Sequence, residues 1–121
     1  MRIERELMRG AGPVAVLRLL SDGPMYGYEL VDALAQRTEG VLDMGQSTLY
    51  PLLYNLESQG LVKPQWQAGP SGRDRKYYAL TAKGKKRLAH EMAQWKAVAR
   101  AMAGLGILTA HESRLATEGA T

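Results

Sequence analysis

Asp43-Met44-Gly45-Gln46-Ser47-Thr48-Leu49-Tyr50-Pro51-Leu52-Leu53-Tyr54-Asn55-Leu56-Glu57-Ser58-Gln59-Gly60 is the stretch whose reading decides the fold. Its leucines fall at Leu49, Leu52, Leu53 and Leu56, the i, i+3, i+4, i+7 spacing of a helix with one buried stripe. The opposite face carries Ser47, Pro51, Tyr54 and Ser58, flanked by Thr48, Tyr50 and Asn55. Hydroxyls, an amide and phenols without net charge can read base edges or grip phosphates at close range. Alone, the segment reads equally well as a core helix with a half-exposed face. Asp43 with Gln46 has capping-box spacing, and Gly60 is a C-terminal stop. Pro51 costs least if the helix starts late, so the expected start lies between Asp43 and Ser47, with a slight distortion.

Upstream, the sequence predicts a short helix over residues 3–9, ended by Gly10, Gly12 and Pro13. A second, nearly all-apolar helix then opens at Pro13. Ser21-Asp22-Gly23-Pro24 is a turn signal. A further helix from about Met25 to Thr38 carries Gly27, Leu30, Val31 and Leu34 on one stripe. Gly27 there costs roughly 1 kcal/mol against alanine, a cost that close helix packing would offset. Helix, turn, helix is therefore expected by residue 60.

After Gly60 the period becomes two. Leu61 to Ala68 and Asp74 to Leu80 read as strands around the loop Gly69-Pro70-Ser71-Gly72. Pro64 requires an unpaired N–H, which a two-stranded ribbon permits. Arg73, Arg75 and Lys76 outweigh Asp74 at the tip and on the second strand. A basic hairpin directly after a helix with a polar outer face is the layout of a wing beside a helix in the major groove. Thr81 is the expected cap of a last helix running to about Leu105. Along it, Leu88, Met92, Trp95, Ala99 and Met102 alternate spacings of 4 and 3 as a heptad seam. A second copy of the helix is the natural cover for that seam, giving a symmetric homodimer. Lys83, Lys85, Lys86 and Arg87 oppose the helix dipole in its first turns, which an acidic partner would offset. Residues after Gly106 pattern weakly and read as a frayed tail.

The chain has 121 residues and a net charge of +4. That length bounds a single domain with an appended helix, and the positive charge favours an acidic polymer as partner. No cysteine is present, so disulfides and thiolate metal sites are excluded. No apolar run approaches the roughly 20 residues that span a bilayer, and the first residues lack an apolar signal core. A cytoplasmic protein without membrane attachment is expected. His90, Glu91 and His111 lack metal-site spacing, and no carboxylate pair or nucleophile constellation suggests an enzyme. No cofactor is expected.

Three ordered blocks carry a family resemblance. The first is Gly23-Pro24-Met25-Tyr26-Gly27-Tyr28-Glu29-Leu30. The second is Ser47-Thr48-Leu49-Tyr50-Pro51 with Leu56-Glu57 and Gly60-Leu61-Val62. The third is Gly72-Arg73-Asp74-Arg75-Lys76-Tyr77-Tyr78-Ala79-Leu80-Thr81 with Gly84 and Leu88. Over roughly residues 7–104 the chain resembles the PadR family of bacterial transcriptional regulators. It departs at Ser47, where glycine is common, and at Asp74, which interrupts the basic run of the wing. The resemblance implies a mainly α fold with a two-stranded β-hairpin: a winged helix-turn-helix over 1–80, a C-terminal dimerisation helix over 81–107, and a tail over 108–121. It further implies a repressor that binds a pseudo-palindromic double-stranded DNA operator, in some members released by a small aromatic compound. On this reading Tyr26, Gln46, Ser47, Thr48, Tyr50, Asn55, Arg73, Arg75 and Lys76 contact DNA. Leu7, Met8, Leu88, Met92, Trp95, Ala99 and Met102 form the dimer interface, and Met8, Met92 and Trp95 would meet a ligand. The rival reading is a winged-helix module that binds protein without specific DNA binding.

Overall fold

The structure, a computed structural model, describes residues 1–118. The order of elements is α1 (Arg5–Leu20), β1 (Met25–Tyr26), α2 (Gly27–Arg37), α3 (Gln46–Ser58), β2 (Val62–Ala68), β3 (Asp74–Leu80), α4 (Ala82–Gly104) and α5 (Ala110–Glu118). The chain divides into two compact units, with the boundary between Arg87 and Leu88 inside α4.

In the first unit the expected break at Gly10–Pro13 does not occur; α1 is one helix with Pro13 inside it. Proline in a helix interior costs about 3 kcal/mol. Against this, Val16, Leu17 and Leu20 are 0, 1 and 2 % exposed, and each such burial contributes about 1.5–3 kcal/mol. A Cβ at Gly12 would lie 3.0 Å from Leu52 Cδ1 and 3.4 Å from Met44 Cε, so α1 and α3 approach closely at the site where a break was expected. Tertiary burial overrides the local signal.

The helix expected from Met25 instead begins at Gly27. Met25 and Tyr26 are extended and pair with Tyr78 and Tyr77, adding a third strand to the expected two. The Tyr26 amide donates to Glu29 Oε1 at 3.1 Å, which closes the start of α2. Gly27 packs as its position in the stripe suggested. A Cβ there would overlap the Tyr50 hydroxyl and lie 2.8 Å from its Cζ. Between α2 and α3, Glu39 and Gly40 both take positive φ (52° and 82°). Buried Met44 anchors that loop.

The start of α3 lies within the expected interval, but Asp43 does not cap it. Gly45 is the N-cap, and no side chain bonds the first turn. Leu49, Leu53 and Leu56 are buried and Leu52 is half-buried. Sheet order is β1-β3-β2, with β3 central. β2 and β3 run antiparallel from Val62↔Leu80 to Ala68↔Asp74, so Val62, Pro64, Trp66, Lys76, Tyr78 and Leu80 share one face. Pro64 sits on an edge strand, as its missing N–H requires. Thr81 caps α4: its Oγ1 accepts from the Gly84 amide (2.9 Å) and donates between the carbonyls of Gly60 (2.7 Å) and Leu61 (3.1 Å).

In the second unit the seam residues of α4 are unequally covered. Leu88 and Ala99 are buried, Met92 and Met102 half-buried, and Trp95 is 41 % exposed. The frayed tail expected after Gly106 is a helix over Ala110–Glu118. Thr109 and Glu112 form a reciprocal capping box, with the Thr109 amide 2.9 Å from Glu112 Oε1 and the Glu112 amide 3.0 Å from Thr109 Oγ1. These bonds hold the Glu112 carboxyl below its ordinary value. The last residues of the expected tail, 119–121, lie outside the described residues.

Candidate nucleic-acid interface

Of the residues expected at DNA, Ser47 and Thr48 are exposed in the first turn of α3, with Gln46 half-buried beside them. No side chain caps this turn, and the Thr48 and Leu49 amides turn back to the Gly45 carbonyl at 3.1 and 3.0 Å. Asn55 is exposed one turn beyond Pro51, and its Oδ1 accepts a short bond from Gln59 Nε2 at 2.5 Å. Arg73 is exposed in the wing tip, where Gly69 and Arg73 close the loop by a 2.7 Å bond and Gly72 turns at φ 82°.

The remaining expected residues meet in one groove. Tyr26, Tyr50, Arg75 and Lys76, joined by Gly27, Tyr28, Tyr54 and Tyr78, line a volume of about 340 Å³ between the start of α2, the middle of α3 and β3. The Arg75 guanidinium lies 4.7 Å from the centre of the Tyr26 ring, a cation–π contact that aims it from the wing across the start of α2. Tyr26 also meets Tyr77 edge-on at 5.4 Å. Tyr50 is half-buried against Gly27. It is therefore held by packing, unlike the exposed hydroxyls of Ser47 and Thr48.

Lys76 differs from the two arginines. Its Nζ lies 3.3 Å from Glu57 Oε1, with 29 % and 35 % of the two side chains exposed. Burial works against the ammonium's charge, but the Glu57 carboxylate and Tyr78 phenol outweigh it and raise its pKa. On the Tyr78 phenol burial acts the other way and raises its pKa, with Lys76 opposing the shift.

The lysines at the head of α4 are partly accounted for within the protein. Lys83 Nζ donates to the Gln59 carbonyl at 2.8 Å, and Arg87 lies 3.4 Å from Gln59 Oε1. Both place positive charge at the C-terminal end of α3, where its dipole favours it. No acidic partner is needed to explain these two.

Tyr28, Tyr54 and Tyr78 were not among the expected site residues, although all lie in or beside the quoted blocks. Tyr54 was legible on the outer face of α3. Tyr78 required the strand register, which sets it opposite Pro64 and beside Lys76. Of the residues expected at a dimer or ligand site, Met8 is buried in the first unit and Leu7 is 61 % exposed, while Met92, Trp95 and Met102 belong to the second. Among the described residues no cluster of potential metal ligands occurs, and no helix is long and apolar enough to cross a membrane.

The sequence profile of the Transcriptional regulator PadR-like family matches residues 16–90. The chain belongs to that family. This PadR-like protein is similar to the crystal structure of a PadR family transcriptional regulator from Eggerthella lenta, at 41 % identity and a TM-score of 0.71, over 83 % of this chain and 85 % of that one. It is similar to a Streptococcus transcriptional regulator at 31 % identity and a TM-score of 0.75, over 85 % of this chain and 99 % of the other. A curated relative from Lysinibacillus sphaericus, an uncharacterized protein, is 28 % identical over 96 residues, 79 % of this chain and 88 % of that one. The matched span of the PadR-like protein takes in α2, α3 and the wing, where the groove lies. Members of the family are transcriptional regulators, not enzymes.

Proposed function

We propose that this PadR-like regulator is a sequence-specific repressor that binds a pseudo-palindromic operator as a homodimer. The observation that carries the reading is the uncapped, exposed first turn of α3, with Ser47 and Thr48, set in one unit with a wing that bears Arg73 and Arg75. On this reading α3 enters the major groove, first turn deepest. Gln46, Ser47, Thr48 and Asn55 read base edges, while Tyr26 and Tyr50 pack along the backbone. Arg73 and Arg75 hold flanking phosphates. Pairing of two α4 helices through Leu88, Met92, Trp95, Ala99 and Met102 sets the two α3 helices about one DNA turn apart, ~34 Å. Half-exposed Trp95 is the surface on which a small planar aromatic inducer would stack, releasing DNA by changing the angle between the paired helices.

Fluorescence anisotropy against the gene's own upstream DNA and a scrambled duplex, across a salt series, tests this reading. Tight, salt-dependent binding with preference for the upstream duplex is expected. Arg75→Ala should weaken binding to both duplexes and, with one Arg75 in each protomer, flatten the log–log salt slope by about 1.8. An unchanged slope removes the wing from the interface. No binding at low salt would move the reading to a protein partner.

A further inference from the structure

Lys76 lies on β3, the central strand, so whatever is fixed to it is fixed to the whole wing. Its side chain turns towards α3. There it meets Tyr54 and Glu57, three residues apart and so on one helical face, with Nζ 5.5 Å from the Tyr54 ring centre and 3.3 Å from Glu57 Oε1. The Tyr78 ring, from the same strand, closes the other side at 5.1 Å. Glu57 Oε1 is enclosed and has no hydrogen-bond partner, so its contact with Lys76 is an ion pair without hydrogen-bond alignment. A phosphate ligand needs an ammonium directed to solvent, and this one is spent on a carboxylate between two phenol rings.

We infer that Lys76 is a positioning residue, one that through Glu57 fixes the azimuth of α3 against the wing so that both meet one duplex in a single register. The inference rests on the DNA-binding reading above, and it takes Lys76 out of the set of direct phosphate contacts. Losing either partner leaves the other charge half-buried and unpaired, which loosens the joint between α3 and β3. The two roles predict opposite signs for one substitution. If Lys76 grips phosphate, Glu57→Gln removes a competing carboxylate and tightens DNA binding. If Lys76 is a positioning residue, the same change weakens binding to the operator.

The test compares Glu57→Gln, Lys76→Met and the double variant with the parent chain, each first shown to melt cooperatively. Two readouts are taken: anisotropy with the upstream and scrambled duplexes over a salt series, and amide hydrogen exchange of β3 without DNA. Each single variant should lose about tenfold in affinity for the upstream duplex, and the double should lose no more than either single. Binding to the scrambled duplex and the salt slope should stay close to the parent's, and exchange at residues 75–79 should quicken in both singles. Tighter binding by Glu57→Gln, or a slope reduced by about 1.8 in the Lys76→Met homodimer, would overturn the inference in favour of a phosphate contact. Unchanged β3 exchange in both singles would overturn it too. If the parent binds no DNA, the repressor reading fails, and the exchange experiment still decides the joint.

Discussion

Gly84→Ala puts the junction between the wing and α4 to a quantitative test. A methyl on Gly84 would overlap the Leu61 carbonyl oxygen and lie 2.7 Å from Leu80 Cδ1. The carbonyl cannot move aside cheaply, because it accepts the Thr81 amide at 3.1 Å and faces the Thr81 hydroxyl. Forcing a methyl into such a site costs about 1–3 kcal/mol. Replacing glycine in a helix returns about 0.5–1 kcal/mol, so with a clash of about 2 kcal/mol, the middle of that range, the net loss is about 1–1.5 kcal/mol. For a chain of this length that lowers Tm by about 4–8 °C. Gly10→Ala is the control: it is also a helical glycine, but its Cβ would meet nothing within 4 Å. There the same substitution should raise Tm by about 2–4 °C. Thermal melts followed by circular dichroism at one protein concentration compare the three chains. A Gly84→Ala melt at or above the parent's would refute the close approach of α4 to Leu61 and Leu80 at the base of the wing.

Two further outcomes are expected. Asp22 is held below its ordinary value of 3.8 by the Arg18 guanidinium, with Arg37 adding to the effect. Its contribution to stability is therefore complete above that value and is lost as pH falls through the lowered one. The Tm gap between the parent and Asp22→Asn should close in acid, and a gap independent of pH would refute the pairing. For the inducer, planar aromatic compounds should quench tryptophan emission, and Trp95→Phe should abolish that quenching while leaving the Trp66 signal. Quenching that survives the substitution places the ligand elsewhere.

Much of the helix-turn-helix and the wing was legible because each rests on local periodicity. The leucines of α3, the alternation across Val62–Ala68 and Asp74–Leu80, and the Thr81 cap are all short-range signals. The continuity of α1 was not legible: Gly10, Gly12 and Pro13 are breakers locally, and only contact with Leu52 and Met44 makes the glycine useful and the proline tolerable. β1 was hidden because two residues cannot show a period, and their partners Tyr77 and Tyr78 lie some fifty positions on. α5 did carry a signal, Thr109 with Glu112 three residues later, but weak apolar patterning masked it. At the candidate interface, residue type suggested cations on the wing. Type could not show that Arg75 lies over Tyr26 while Lys76 turns back to Glu57, because strand register and helix azimuth decide that together.

The sheet also bears on how copies of the protein can meet. One edge is β1, only two residues long before the chain turns into α2. The other is β2, where Pro64 takes one N–H out of the outward row of donors. Neither margin presents an unbroken ladder for a strand from another molecule to extend. When many copies crowd along DNA, zipping of wing to wing into fibrils is thus disfavoured by the backbone itself. On the homodimer reading proposed above, self-association falls to the helices, where side chains can specify a closed pair in place of an open-ended stack.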